Sequence, residues 1–430
     1  RRRPDEAVDH GGPRGGTASA RSADRDRVAG PDATTDRAAR LNHSAGRVAH
    51  LVEETLAEGV VHRVGSRRLG CSLPGADLDL VAVLPGIAEG DDVERRIRAA
   101  LPSGSRVRQL VGARVPGLRL HVADLSVDVV IAPSGTIPPA EAVARRAELA
   151  PETAVALSAV SDAETVLHSV APADISAFTR LATGVKAWAR ARGLDSAPFG
   201  GLPGLAWVVM AARSVAAVED ASAALGHFFA TWAAWDWHDP IALTEPIALT
   251  NLTAFANPTT SPQPSSLSVP SWSAVTVLTP SEPIRNCATQ VGPGFRDLLA
   301  QELYEAWEIV ESAADPWPRL LAPPPLHRRH AAWAVVDVSA ADPEDFSALA
   351  GRARGRMRAL MTALEEAGVA EVHAWPRPFL TSPAHAAFSI GLGRVPPSRA
   401  TFDEIAARWV KGLPGVAVSL RDGGAVPTLR

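Results

Sequence analysis

Cysteine and lysine are scarce in this 430-residue chain, and each scarcity removes a class of explanation. Only Cys71 and Cys287 occur, far apart and at no metal-ligand spacing, so neither a disulfide framework nor a zinc site is expected. A reducing, cytoplasmic setting fits that usage. No run of about 18 or more apolar residues is present, which predicts no helical membrane span. The opening Arg1 to His10 has no methionine and no apolar h-region, so no secretory signal is expected. Nor is there an excess of basic charge: 43 Lys and Arg against 47 Asp and Glu leave a net charge of -4. That excludes a basic nucleic-acid coat and confines any RNA contact to local patches. Lys186 and Lys411 are the only lysines, so positive charge is almost all arginine. With 46% hydrophobic residues the chain can build two or three soluble domains.

What is there is concentrated between Val64 and Leu84, in the pattern G-S-x3-G-x6-D-x-D formed by Gly65, Ser66, Gly70, Asp77 and Asp79. Val60, Val61 and Val64 precede it as a β-prone run; Leu80, Val81, Val83 and Leu84 follow as a near-continuous apolar strand, the pattern of burial on both faces. Residues at i and i+2 of a strand share a face. The spacing therefore aims the Asp77 and Asp79 carboxylates into one small volume, where a divalent cation would relieve their repulsion. Gly65 permits a tight turn near a ligand, and Ser66 with the amides around it suits a phosphate.

A third acid lies in LRLHVADLSVDVVIA, Leu118 to Ala132. The two alternating stretches predict antiparallel strands joined by a short turn, with Asp128 out of phase with the valines and able to adjoin Asp79. Alone, Asp128 would be an exposed edge residue. From Asp174 to Arg192 the apolar positions follow helical spacing, with Asp174 as N-cap and Gly193 as terminator. Lys186 lies on that helix, where a surface position is the ordinary reading of a lysine. Pro203 is placed to open the next helix.

Taken with the segments Thr183 to Ser214 (VKAWARAR and FGGLPGLAW), Phe228 to Pro240 (FFATWAAWDWHDP) and Ser273 to Ala288 (SAVTVLTPSEPIRNCA), the motif resembles the eukaryotic-type poly(A) polymerases of the DNA polymerase β-like nucleotidyltransferase superfamily. The likeness runs in order over about Val48 to Val395. It implies an α+β protein: a mixed β-sheet nucleotidyltransferase domain at 41–172, a helical middle domain at 173–315 and an RRM-like β-α-β domain at 326–420. It also implies an enzyme, a template-independent RNA 3'-end nucleotidyltransferase that adds a nucleotide from a nucleoside triphosphate, ATP by resemblance, onto an RNA 3' end. Asp77, Asp79 and Asp128 would hold two Mg2+ or Mn2+ ions. Gly65, Ser66 and Lys186 would cradle the triphosphate, Gly204 would approach the base, and Asn286 with Cys287 would occupy the family's N-S positions. Two departures bear on the base: Asp195 stands where the family usually has tyrosine, and Ala197 where it has asparagine. An Asp195 facing a triphosphate would repel it. A transferase acting on a small molecule or protein, or a catalytically idle RNA-binding scaffold, therefore stays open beside the RNA enzyme.

Residues 1–40 are rich in Arg, Asp, Gly, Ala and Pro and are expected to be a disordered tail, with order starting near Arg47. The aromatics from Phe228 to Trp237 read as core, and residues 250–270 as a long Ser/Thr/Pro loop. Arg352, Arg354, Arg356 and Arg358 spread around one helix and read as solvated. A monomer, with no membrane partner, is expected.

Overall fold

The computed structural model describes residues 31–110, 115–243, 274–324 and 329–426. Residues 1–30 of the expected tail, and the expected 250–270 loop, lie outside the described residues.

Helix α1 (Pro31–Thr55) comes first, so helical structure starts well before Arg47 and takes in the last part of the stretch expected to be a tail. Five strands and two helices follow: β1 (Val60–Val64), the short α2 (Gly65–Arg68), β2 (Leu78–Leu84), α3 (Gly90–Ala100), β3 (Arg106–Gln109), β4 (Gly117–Val122) and β5 (Leu125–Pro133). They form one sheet in the order β1-β2-β5-β4-β3. Its pairs are antiparallel except β2 with β5, which run parallel. The apolar run of β2 is explained by what lies on each side. Leu78, Leu80, Ala82 and Leu84 join a core with Val48, Val52, Val93 and Ile97 of α1 and α3. Val81 and Val83 face the other way, onto Leu157 and Val160 of α4 (Pro151–Ser169).

The helical part continues with α5 (Ile175–Arg192), α6 (Gly204–Ala216), α7 (Ala224–Ala233), α8 (Pro293–Ser312) and the single turn α9 (Trp317–Leu320). As expected, Asp174 and Gly193 bound α5, and Gly193 takes φ +74. Pro203 is the N-cap of α6 rather than its first residue. Phe228, Phe229 and Trp232 are fully buried, and Trp188 meets Trp207 and Phe229 edge-on at 5.8 and 5.0 Å. The aromatic run is therefore core and no platform for stacked bases.

The third unit is a second sheet, β10-β6-β9-β7, built from β6 (Ala332–Ser339), β7 (Val372–Ala374), β9 (His385–Leu392) and β10 (Val416–Asp422), with the short β8 (Leu380–Ser382) on β9. Helices α10 (Pro343–Glu366) and α11 (Arg399–Trp409) bury one face of it, while Trp333 and Trp375 fill the other. The α10 arginines are not uniformly solvated. Arg356 donates to the carbonyls of Trp409 and Lys411, and Arg358 pairs with Glu365 at 2.8 Å.

Candidate active site

Period-two geometry and the parallel seam together bring the three aspartates to one face. Asp79 stands level with Asp128 across the β2–β5 pair, and strands so paired lie about 4.8 Å apart. On both strands the alternate residues continue into the core under α4: Val81 and Val83 from β2, Ala132 from β5. Asp77, two residues before Asp79, belongs to the same phase. Their mutual repulsion is felt: burial first, then Asp128 and Asp77, push the Asp79 carboxyl up to about 6. Asp77 is raised as well, by burial and then by Asp128.

The glycine of the motif is explained by the same acid. At Gly65, φ is +66, and a Cβ there would sit 2.2 Å from Asp79 Oδ2. The strand end thus turns against the carboxylate itself, which only glycine permits. Ser66 lies in α2, and its carbonyl accepts from the Cys71 amide at 3.0 Å. Arg67 fastens the loop by donating to the carbonyls of Ala76 and Asp77 at 2.7 and 3.1 Å. Lys186 reaches over from α5 and donates to the Cys71 carbonyl at 2.9 Å. Its ammonium also lowers the proton affinity of Asp79, which puts the lysine beside the acids.

Asn286 and Gly204 stand as follows. The side chain of Asn286 holds backbone: Oδ1 accepts from the amides of Val277 and Ala288 at 3.0 and 2.8 Å, and Nδ2 donates to the Val275 carbonyl at 3.1 Å. Its visible work is to shape the segment from Val275 to Ala288. Gly204 opens α6 with nothing within 4 Å of where a Cβ would stand, so the space beside it is free.

Sequence reasoning missed Arg119. On β4 it pairs in register with Asp128, and its guanidinium grips that carboxylate in two-pronged fashion, Nε to Oδ1 at 2.7 Å and Nη2 to Oδ2 at 2.5 Å. An arginine in an alternating strand looks like a solvated face; the signal was its place opposite Asp128 in the predicted hairpin. Among the described residues, no three His, Cys, Asp or Glu side chains already converge as a metal cage. Both oxygens of Asp128 are taken by Arg119. The donor chemistry nonetheless fits Mg2+ or Mn2+: three carboxylates on one face, two of them with raised proton affinity.

The comparisons bear on the helical part first. Residues 177–323 match the family described as the poly(A) polymerase central domain. Over that part the chain is similar to the poly(A) polymerases. Nuclear poly(A) polymerase 1 of Arabidopsis thaliana is 25% identical over 358 residues, covering 79% of this chain and 49% of that protein. Poly(A) polymerase pla1 of Schizosaccharomyces pombe is 24% identical over 326 residues, covering 72% of this chain and 56% of that one. The chain thus spans about half the length of the curated relatives it matches. A solved structure of Cid1, described with an RNA terminal uridylyl transferase activity, aligns with a TM-score of 0.48 at 14% identity, over 68% of this chain and 94% of that one.

Proposed function

We propose that the chain is a template-independent RNA 3'-end nucleotidyltransferase that joins a nucleotide from a nucleoside triphosphate, ATP in the first instance, to an RNA 3'-hydroxyl with release of pyrophosphate. The observation that carries this reading is the level pairing of Asp79 with Asp128, with Asp77 in phase, on a face bordered by Gly65, Ser66 and Lys186. Asp77, Asp79 and Asp128 would hold two divalent ions, Mg2+ or Mn2+. Bound there, such ions supply a lowered pKa for the attacking hydroxyl and charge neutralisation for the leaving pyrophosphate.

The chain's own residues do the rest. Gly65 lets the backbone after β1 lie against the acids, so the turn into α2 presents its amides and the Ser66 hydroxyl to a phosphate. Lys186, now on the Cys71 carbonyl, exchanges that neutral acceptor for a phosphate oxygen, a stronger charge-assisted bond. Arg119 holds both oxygens of Asp128 and so fixes the aim of that carboxylate. Positioning and charge compensation of this kind provide most of the catalysis in phosphoryl transfer.

The RNA 3' end and the triphosphate are the partners this reading needs, and the likeness to poly(A) polymerases supports both. Two free thiols, Cys71 and Cys287, support a reducing compartment such as the cytoplasm. Among the described residues, no helix is long and apolar enough to cross a membrane. The test is incubation of the purified chain with a labelled oligoribonucleotide and each nucleoside triphosphate in turn, with Mg2+ or Mn2+. Stepwise lengthening of the primer is expected. Nucleotide transfer to protein or small molecules with no primer extension would replace the RNA reading.

A further inference from the structure

The acids stand at one end of a polar row that crosses the first sheet. Asp79 on β2, Asp128 on β5, Arg119 on β4 and Arg108 on β3 are level with one another, strand by strand. Residues directly opposite in neighbouring strands share a face, and the alternate phase, with Val107, Leu118, Leu120 and Val127, fills the core under α1 and α3. The row on the other face therefore reads acid, acid, base, base. In the next row Arg106 stands level with His121, so the basic end widens.

The two arginines of the row share one acid. Arg119 closes on Asp128 with bonds of 2.7 and 2.5 Å and has no other acceptor among the described residues. Arg108 reaches away, donating to the Ser347 hydroxyl of α10 at 3.3 Å, and pairs with no carboxylate among the described residues. A divalent cation at Asp128 would meet the guanidinium on the same two oxygens, where like charges repel and burial weakens their screening. If Asp128 is given up to the ion, Arg119 is left beside Arg108 with nothing to hold until an anion arrives.

We propose that Arg119 is a latch on Asp128: it competes with the divalent ion for that carboxylate, and a phosphate shared by Arg119 and Arg108 draws it off and admits the ion. The proposal rests on the transferase reading above. Ion and phosphate are then coupled, each tightening the other by the same factor. The empty site keeps an acid neutralised, and the ion is taken up together with substrate. RNA backbone and triphosphate both offer the paired oxygens that a guanidinium takes.

The experiment uses the full chain and measures bound Mn2+ by electron paramagnetic resonance, with no nucleotide or RNA present. Arg119→Gln should bind Mn2+ roughly tenfold more tightly than wild type, and no more than that because the guanidinium is 43% exposed and partly screened. Arg119→Lys keeps the charge but loses the two-pronged grip. It should bind more tightly than wild type by a smaller factor, and it carries the test if Arg119→Gln does not fold. Inorganic sulfate, a phosphate-like dianion that scarcely chelates Mn2+, should tighten Mn2+ binding to wild type beyond chloride of equal ionic strength, and should do so for neither Arg119→Gln nor Arg108→Gln. Variants at 119 that bind Mn2+ no better than wild type would overturn the latch, leaving an arginine that only aims the carboxylate. Sulfate acting no differently from chloride would overturn the coupling. Arg108→Gln names the source of the phosphate by which probe it weakens, a labelled oligoribonucleotide or fluorescent ATP; unchanged affinity for both would overturn the shared anion site. Asp79→Asn that binds Mn2+ as well as wild type would instead overturn the transferase reading beneath it.

Discussion

Gly65 and Asp79 are so tightly joined that residue 65 cannot gain a side chain without displacing the Asp79 carboxylate. Alanine at 65 would have to adopt φ +66, a left-handed conformation costing about 1–2 kcal/mol, and would collide with the Asp79 carboxylate. Gly65→Ala should lower Tm by several degrees in thermal denaturation and reduce primer extension much further than that loss of stability explains. Asp79→Asn keeps the shape and removes the charge. It should cut kcat roughly a thousandfold, as loss of a group acting on the transition-state charge does. It should also leave Tm equal or higher, because Asp79 is strained by burial and by Asp128 and Asp77. Single-turnover extension and calorimetry on the same sample separate the two effects.

At the scale of elements, the loop between α5 and α6 depends on Phe199. Removing a fully buried phenyl ring costs about 3–5 kcal/mol, and this ring belongs to a core contributed by a different unit. Phe199→Ala should therefore destabilise the third unit, as urea denaturation would show, and also raise KM for the nucleotide. Much of this architecture was legible in the sequence. The both-face burial of β2, the β4–β5 hairpin, the bounds of α5 and the phase of Asp128 all follow from period two, period 3.6 and capping residues. Helix α4 was not legible, because its buried set mixes Leu157 and Val166 with Thr153, Ser158, Ser161 and Asp162 and hides the stripe. Asp162 is buried to accept from the amide and hydroxyl of Ser281 at 2.9 and 2.7 Å, a bond between distant segments that no local pattern announces. Strand β3 escaped notice as a four-residue edge, and Arg119 and Arg108 because their meaning lies in their partners.

For the whole molecule, the joint between helical part and third unit is polar at its centre. Arg192 of α5 pairs with Glu302, and with Glu305 at 3.1 Å, both on α8; Arg329, before β6, pairs with Glu302 at 2.8 Å. His330 and His373 stack beside this network, 6.4 Å apart. Burial lowers His330 to about 4 and His373 to about 3, with Arg329 adding to both. The unfolded chain takes up these protons near pH 6.5 and the folded one does not, so the histidines weaken folding as pH falls from about 6.5 towards 4. For His330 alone the loss is on the order of 3 kcal/mol over that window. A melting profile against pH should show this descent, and His330→Gln should make it shallower while leaving the part due to His373.

The parallel seam has a consequence for how the chain is made. Strands β2 and β5 meet only after the crossover through α3, β3 and β4 has closed, and the closing contact sets Asp79 against Asp128. Topology thus asks two like charges to approach as a long loop is being shut, adding repulsion to an already slow entropic search. Millimolar magnesium in a refolding buffer should quicken assembly of wild-type protein and leave Asp79→Asn unhurried, so a cation needed for turnover would also have served as midwife to the sheet.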